Sequence, residues 1–541
     1  MSPVMRAAIL AVVAWVAQEA LADEGSVHGQ IRREASRPNT SDEERPLPLA
    51  CSWQCGEYPG PSCAGWRPEN QIALIEQGYH LLPWFGHPAP GPVPTDRNDF
   101  FFAYYESAIK RARQLRLPLT LIASQWESGL SQTPYIDLPS EDNPNVVAVG
   151  GKTLPQVSPF GPVKPWREIG KKRTDHPRMR QLQEWYPDPP VVIFLSNNEH
   201  SKLAWISVET DERYLARHGK GRDDDFKRNV VGDGWIERYR ALQEGMRTGL
   251  SSPQWKKAAV FVGYDAFGPP HFGRWNGWPE YSLHAAGRIA PDPLTWDGGS
   301  PSYYTHNWNP STDYTVWSPQ VEFQNLVFMQ DQAYRLNPEF WFELSIWDGY
   351  APSEPNDKRK HYADRGQSFT PERYAGFVQF GMWLTRPRAV REFRGWTQPW
   401  DENKAFFLAL VASVDRVHDH PVLREFWRKG NLVANPARRH PYQAAIPAEY
   451  AASSRWFLLD ADVNPKGDAW TPQQAIAVYA LALVQGVRPT RRWLVYAHSP
   501  MEDRRRVQMA IPEYGPVIVR VARRGSFHRV EEQTGSVTPL P

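Results

Sequence analysis

The chain has 541 residues, with 62 Lys+Arg against 60 Asp+Glu and a formal net charge of +2. That balance argues against a protein built to neutralise a phosphate backbone, which needs a concentrated basic surface. With 41% hydrophobic and 23% charged residues, the chain holds enough apolar material for a large core and too much to stay disordered. Two excesses stand out: 51 Pro, aperiodic and so pointing to many ordered loops, and 24 Trp, which fill a core or present flat apolar faces to a ligand.

In chain order, Arg6 precedes an apolar run over 7–17, and Ala20-Leu21-Ala22 offers a small-residue cleavage site. This reads as an export signal over residues 1–22, cleaved near Ala22, and predicts a secreted or periplasmic protein. No later stretch gives about twenty uncharged apolar residues, so no membrane span is expected. Residues 23–47 are polar and aperiodic and read as a flexible lead-in. Cys51, Cys55 and Cys63 fall within 13 residues. In an export context they suggest one local disulfide with one thiol left over, the pairing being open.

From residue 48, strand-like apolar runs alternate with amphipathic helical patterns. The runs lie at 49–53, 79–84, 119–124, 191–196, 258–263, 302–306, 340–346 and 389–393. Helical patterns lie at 68–77, 100–115, 177–185, 235–250, 321–336, 370–384 and 404–417, with a weaker one at 280–286. Thr370 stands as N-cap before Pro371 at the first helical position. Eight βα units predict a (β/α)8 TIM barrel over 48–446. A doubly wound sheet would show a glycine-rich phosphate turn after the first strand, and none is present. The excess length falls after strands three, five and seven, in βα loops that build a barrel's active face. Beyond 447, short β-type runs at 455–459, 475–484, 492–497, 506–511, 517–521 and 526–530 predict a C-terminal antiparallel β-sandwich over 447–541, although 471–484 also fits a helix.

Two acidic residues carry the functional reading. The run Val191 to Leu195 is apolar throughout, as in a strand buried on both faces, and gives way to Ser196-Asn197-Asn198-Glu199-His200. Glu343 sits within Phe340-Trp341-Phe342-Glu343-Leu344-Ser345-Ile346-Trp347-Asp348. On strands four and seven, two carboxylates face one another across a barrel mouth, the arrangement that glycoside hydrolysis needs. Each Glu taken alone is as well explained by burial against an arginine.

With Asn198-Glu199 closing strand four and Glu343 on strand seven, residues 48–420 resemble the clan of retaining (β/α)8 glycoside hydrolases that includes β-galactosidases, cellulases and β-agarases. The resemblance implies Glu199 as general acid/base and Glu343 as nucleophile. It also implies that Asn198 bonds the sugar 2-hydroxyl, that Tyr303 or Tyr304 touches the nucleophile, and that Trp396 floors the cleft. Glu127 after strand three and Asp265 after strand five line the mouth either as sugar-hydroxyl binders or as the true acid. Trp126, His306 after strand six and Trp347 on strand seven are further candidates to line a sugar site. Asp348 is an alternative to Glu343 if strand seven runs further. His200 either orients Glu199 or is simply solvated. His80, His87 and His306, near the ends of strands two and six, are candidates to bind substrate or metal.

The expected partner is a carbohydrate, with no nucleic acid, cofactor or metal. A metal-dependent barrel hydrolase offers paired histidines on its first strand, and 49–54 has none. The run Asp460 to Asp468 departs from a calcium loop at Pro465 and Thr471 and reads as a turn. Arg504-Arg505-Arg506 with Arg523-Arg524 makes a basic cluster, read as a solvated face or as a site for an anionic glycan. A non-catalytic carbohydrate-binding or surface protein on the same barrel is the competing reading.

Overall fold

A computed structural model of the chain describes residues 47–52, 68–86, 95–123, 126–197, 203–264, 292–304, 337–347, 370–392, 400–438, 457–466 and 476–541, with seven further positions between 319 and 334. The first eleven strands are β1 (Leu49–Ser52), β2 (Trp84–Gly86), β3 (Leu119–Ala123), β4 (Asn145–Ala148), β5 (Lys152–Val157), β6 (Val192–Asn197), β7 (Ala259–Tyr264), β8 (Gly298–Gly299), β9 (Ser302–Tyr304), β10 (Trp341–Trp347) and β11 (Ala389–Glu392). All but the antiparallel hairpin β4–β5 belong to one parallel sheet in the order β1-β11-β10-β8-β7-β6-β3-β2, with β9 continuing β8 alongside β10. A parallel bridge from Ala50 to Leu81 joins the two ends of that order, closing a ring of eight staves.

The pairings fix the geometry of the ring. Glu343 lies opposite Ala389, Ala389 opposite Leu49, and Ala50 opposite Leu81. Trp84 lies opposite Thr120, Leu119 opposite Val192, and Val192 opposite Ala259; Val262 and Trp341 both face Gly298. Carried once round, these registers bring position 343 to position 335, a shift of eight residues. A shear of eight over eight staves is the TIM-barrel value.

The staves form where the sequence is continuously apolar because both faces are covered, by the barrel interior and by the helices. Helix Pro371–Thr385 starts as its sequence requires, with the Thr370 side chain accepting from the Arg373 amide. The other helices seen in sequence are present as Pro68–Glu76, Thr95–Gln114, Pro177–Trp185, Asp224–Gly249 and Trp400–Asp419, and the seven positions between 319 and 334 are helical. The pattern at 280–286 lies outside the described residues. The segment after β3 is no plain loop: it carries the hairpin β4–β5 and helix Lys164–Thr174. That helix packs backbone to backbone on Asp224–Gly249, where a Cβ on Gly170 would overlap the Leu242 carbonyl and one on Gly245 the Arg167 carbonyl.

The C-terminal strands are β12 (Asn431–Leu432), β13 (Asp460–Ala461), β14 (Tyr479–Gln485), β15 (Arg492–His498), β16 (Arg504–Ile511), β17 (Gly515–Val521), β18 (Ser526–Glu531) and β19 (Val537–Leu540). They form two antiparallel sheets, β12-β14-β15-β18-β19 and β13-β16-β17. Val495, Ala480 and Ala482 of the larger sheet meet Val507, Met509 and Val519 of the smaller in a sandwich core. The opposite face of the larger sheet, with Leu481, Leu483, Tyr496 and Phe527, is continuous with the barrel core. Phe527 meets Trp383 edge-on at 5.5 Å, and the Tyr496 hydroxyl donates to the Gly376 carbonyl at 2.6 Å. Among the described residues, no helix is long and apolar enough to cross a membrane.

Candidate active site

The carboxyl ends of the staves define the face on which barrel enzymes build their sites. Asn198, Glu199, His200, Asp265, His306, Asp348 and Trp396 fall just beyond those ends and lie outside the described residues, as does His87.

Glu343 is described, and its surroundings are specific. Leu344 packs toward Gly381 of helix Pro371–Thr385, and the Glu392 carboxylate meets the Tyr374 hydroxyl of the same helix. Those residues therefore face outward, and alternation turns Glu343, Ser345, Trp347 and Arg391 into the barrel. There Arg391 holds Glu343 in a two-pronged ion pair, Nε to Oε2 at 2.5 Å and Nη2 to Oε1 at 3.0 Å. The Trp341 indole donates to Oε1 at 2.9 Å, and Arg391 Nη1 lies 2.9 Å from Cys51 Sγ. Glu343, Arg391 and Cys51 have no exposed surface. Burial pushes the Cys51 thiol up to about 12, against the lowering pull of Arg391. Burial disfavours charge on Arg391, but the facing Cys51 and Glu343 outweigh it and its pKa is raised. Cys51 is a free thiol; Cys55 and Cys63 lie outside the described residues. Arg391 is not among the residues the sequence singles out. Its signal is a charge inside a stave, Ala389–Glu392, with every residue buried.

The remaining described candidates fall into two groups. Trp347 ends β10 on the inner face, and Tyr304 lies opposite it in register. Tyr303 points the other way, against Gly381 and the Phe377 ring (6.4 Å), so it packs under the helix and not beside Glu343. Trp126 and Glu127 also lie outside the barrel wall. The Trp126 indole donates to the Leu195 carbonyl at 3.0 Å and meets Phe194 edge-on, and Glu127 Oε1 accepts from the Tyr239 hydroxyl at 2.9 Å. Both are buried, Glu127 against helix Asp224–Gly249 and Trp126 with its carbonyl accepting from Arg173 of helix Lys164–Thr174. His80 is not at the mouth. It precedes the bridge at Leu81 and so starts its stave, with Nδ1 2.8 Å from Asp415 and its ring stacked on His418 at 3.7 Å.

The shear sets relative heights. Three steps round the ring lead from β10 to the fourth stave, β6, and each raises the hydrogen-bonded rung by one residue. Position 343 shares a rung with Asn197 through Gly299–Phe342, Gly263–Gly299 and Ser196–Gly263. Asn197 is therefore level with Ile346, three residues above Glu343. In sequence, Glu199 follows Asn197 by two residues, as Asp348 follows Ile346.

Among the described residues, no group of three metal-ligating side chains is placed to hold an ion. No protein-family model matches the chain. No curated protein matches it either. Among solved structures, the catalytic domain of the Bacillus sp. JAMB-750 GH26 endo-β-1,4-mannanase aligns with 72% of this chain and 89% of its own, at 10% identity and a TM-score of 0.36. A modular endo-β-1,4-mannanase from Cellulomonas fimi aligns with 90% of this chain and 98% of its own, at 11% identity and a TM-score of 0.35. The endo-β-mannanase/endo-β-glucanase of Prevotella bryantii aligns with 69% of this chain at 10% identity and a TM-score of 0.33, and the chain spans 49% of that protein's length. Likenesses this distant assign no residue.

Proposed function

We propose that the chain is a retaining glycoside hydrolase acting on a poly- or oligosaccharide, with Glu343 as nucleophile and Glu199 as acid/base. The observation that carries the reading is a carboxylate on the inner face of the seventh stave, fixed by Arg391, three staves from a fourth that runs out into Asn197-Asn198-Glu199. A Glu343 oxygen attacks the anomeric carbon while the Glu199 carboxyl gives its proton to the departing glycosidic oxygen. The resulting glycosyl ester is then opened by water, whose proton goes to Glu199, and Glu343 is released. One water is consumed and the anomeric configuration is kept, which calls for carboxyl groups about 5–5.5 Å apart. Since the rung of Asn197 lies three residues above the buried Glu343, that distance requires the chain after Asn197 to fold back toward it. The two hydrogen bonds from Arg391 fix the aim of the attacking oxygen. Export, expected from residues 1–22, suits an enzyme whose substrate is a polymer outside the cell.

One observation favours a second assignment within the same chemistry. Glu343 is sealed in a layer with Cys51 and Arg391 and its rung lies below the end of β6, whereas Asp348 follows the last residue of β10. The alternation of β10 would give Asp348 the outward side of Leu344 and Ile346, so this assignment needs the chain to turn in at the strand end. In that case Asp348 attacks and the Glu343–Arg391 pair is structural. A polysaccharide panel to find a cleaved glycan, followed by trapping with the matching 2-deoxy-2-fluoro glycoside and peptide mapping, decides. The adduct is expected on Glu343; an adduct on Asp348 moves the role. Full activity of both Glu199→Gln and Glu343→Gln would overturn the two-glutamate mechanism. Glycan binding with no cleavage anywhere in the panel would leave a carbohydrate-binding protein on a barrel scaffold.

A further inference from the structure

The outer face of the sheet β13-β16-β17 carries charge that the fold leaves unpaired. The register of β16 against β17 slips between Arg504 and Val507, so Arg505 and Arg506 stand opposite the single residue Arg520. Directly opposed strand residues have Cβ atoms about 5 Å apart, and like charges there work against pairing. All three arginines are exposed, and none forms an ion pair; Arg504 beside them is bound to Glu502 at 2.9 Å. Along the same face Gln508 lies opposite Ile518, an apolar side chain 47% exposed, and Ala510 lies opposite Pro516. The alternate residues Val507, Met509, Val517 and Val519 turn into the sandwich core.

The imbalance is local. Residues 502–541, with the Glu502 that pairs Arg504 included, hold seven Arg against four Glu and one Asp, and three of the seven Arg gather at the bulge. A charge on an exposed edge guards against strand addition, and Arg520 is on an edge strand. β13 reaches β16 only at Met509 and Ala510, so Arg505 and Arg506 also lie on a length of β16 with no strand on its far side. Three guanidinium groups gathered at one bulge exceed the single charge that guarding an edge takes.

We propose that this face binds an acidic polysaccharide. Arg505, Arg506 and Arg520 grip carboxylate or sulfate groups with paired N–H donors, and Gln508 and Ile518 receive the adjoining sugar. The choice of a glycan among polyanions rests on the hydrolase reading, and the test below separates it from a nucleic acid.

The test uses the full chain. Binding to polygalacturonate, dextran sulfate, neutral mannan and a single-stranded DNA of matched charge is measured at low and at physiological salt. Both acidic polysaccharides are expected to bind, more weakly as salt rises and at least about tenfold more weakly to Arg506→Glu/Arg520→Glu, with mannan unaffected. Arg506→Lys/Arg520→Lys, which keeps the charge and loses the fork, should fall between. The proposal is overturned by no binding, by binding that the double charge reversal leaves unchanged, or by DNA binding as tight as the polysaccharides. Patch-dependent binding without hydrolysis of any glycan would sink the hydrolase reading alone.

Discussion

Arg391 and Glu343 meet inside the barrel with both guanidinium–carboxylate hydrogen bonds made and no surface open to solvent. Burying two charges is costly, and removing one partner strands the other. Arg391→Met is therefore expected to destabilise the chain by about 3–5 kcal/mol, and the double variant Arg391→Met/Glu343→Leu by clearly less. Urea denaturation of the two variants checks this. Equal stability of Arg391→Met and the parent would mean that the pair does not hold the barrel interior.

Cys51 should be chemically silent in the folded protein. Its thiol is buried and raised to about 12, so almost no thiolate forms near pH 8. Peptide mapping after iodoacetamide is expected to find Cys51 unlabelled in buffer and fully labelled in denaturant. Fast labelling under native conditions would show that the layer around Arg391 opens.

The contact between helices Lys164–Thr174 and Asp224–Gly249 depends on residues without a Cβ. Gly245→Ala forces its methyl into the Arg167 carbonyl. Overpacking of this kind costs about 1–3 kcal/mol, more than the helix-propensity gain of about 1 kcal/mol. A net fall in the thermal midpoint is expected, whereas Gly232→Ala, with open space around it, should be neutral or stabilising.

Acid should loosen the seam between barrel and sandwich. His498 is fully buried among Phe377, Phe380, Tyr479 and Tyr496, with no hydrogen bond to either ring nitrogen. Burial, then the nearby Arg373 charge, hold its pKa well below the usual value. His528, whose Nε2 accepts from the Arg520 amide, is lowered to about 4 by burial. A histidine depressed in the folded state binds its proton more readily when unfolded. The stability it supports is complete above about pH 6.5 and is lost as pH falls below that. Melting curves at pH 8 and pH 5 should differ by less in His498→Phe than in the parent; an unchanged difference would clear His498 of the effect.

The barrel was legible because its staves are the easiest strands to read. Val192–Leu195 and Trp341–Ile346 are covered on both sides, so their apolar runs are nearly unbroken and their count comes out at eight. Helix Pro371–Thr385 announced itself through Thr370 and Pro371. Hairpin β4–β5 did not, since Lys152–Val157 is largely solvent-facing and lacks a strong apolar alternation. The stretch at 471–484, readable either as helix or strand, resolves into strand at Tyr479–Gln485 because both its faces are buried. At the site, the sequence singled out Glu343 but not the partner 48 residues on. Arg391 becomes its neighbour only through the parallel pairing of β10 with β11, a relation that no local pattern records. Tyr303 and Tyr304 could not be told apart without knowing which way each strand residue faces.

The larger C-terminal sheet is sandwiched twice, by its companion sheet and by the barrel helix beneath it. Cutting the chain ahead of β14 would not release a free-standing appendage. It would strip Leu481, Leu483, Tyr496 and Phe527 of their cover and lay bare the underside of helix Pro371–Thr385 at the same stroke. The two halves thus inherit one another's solubility, and a transplant of either onto another scaffold would have to bring the seam with it.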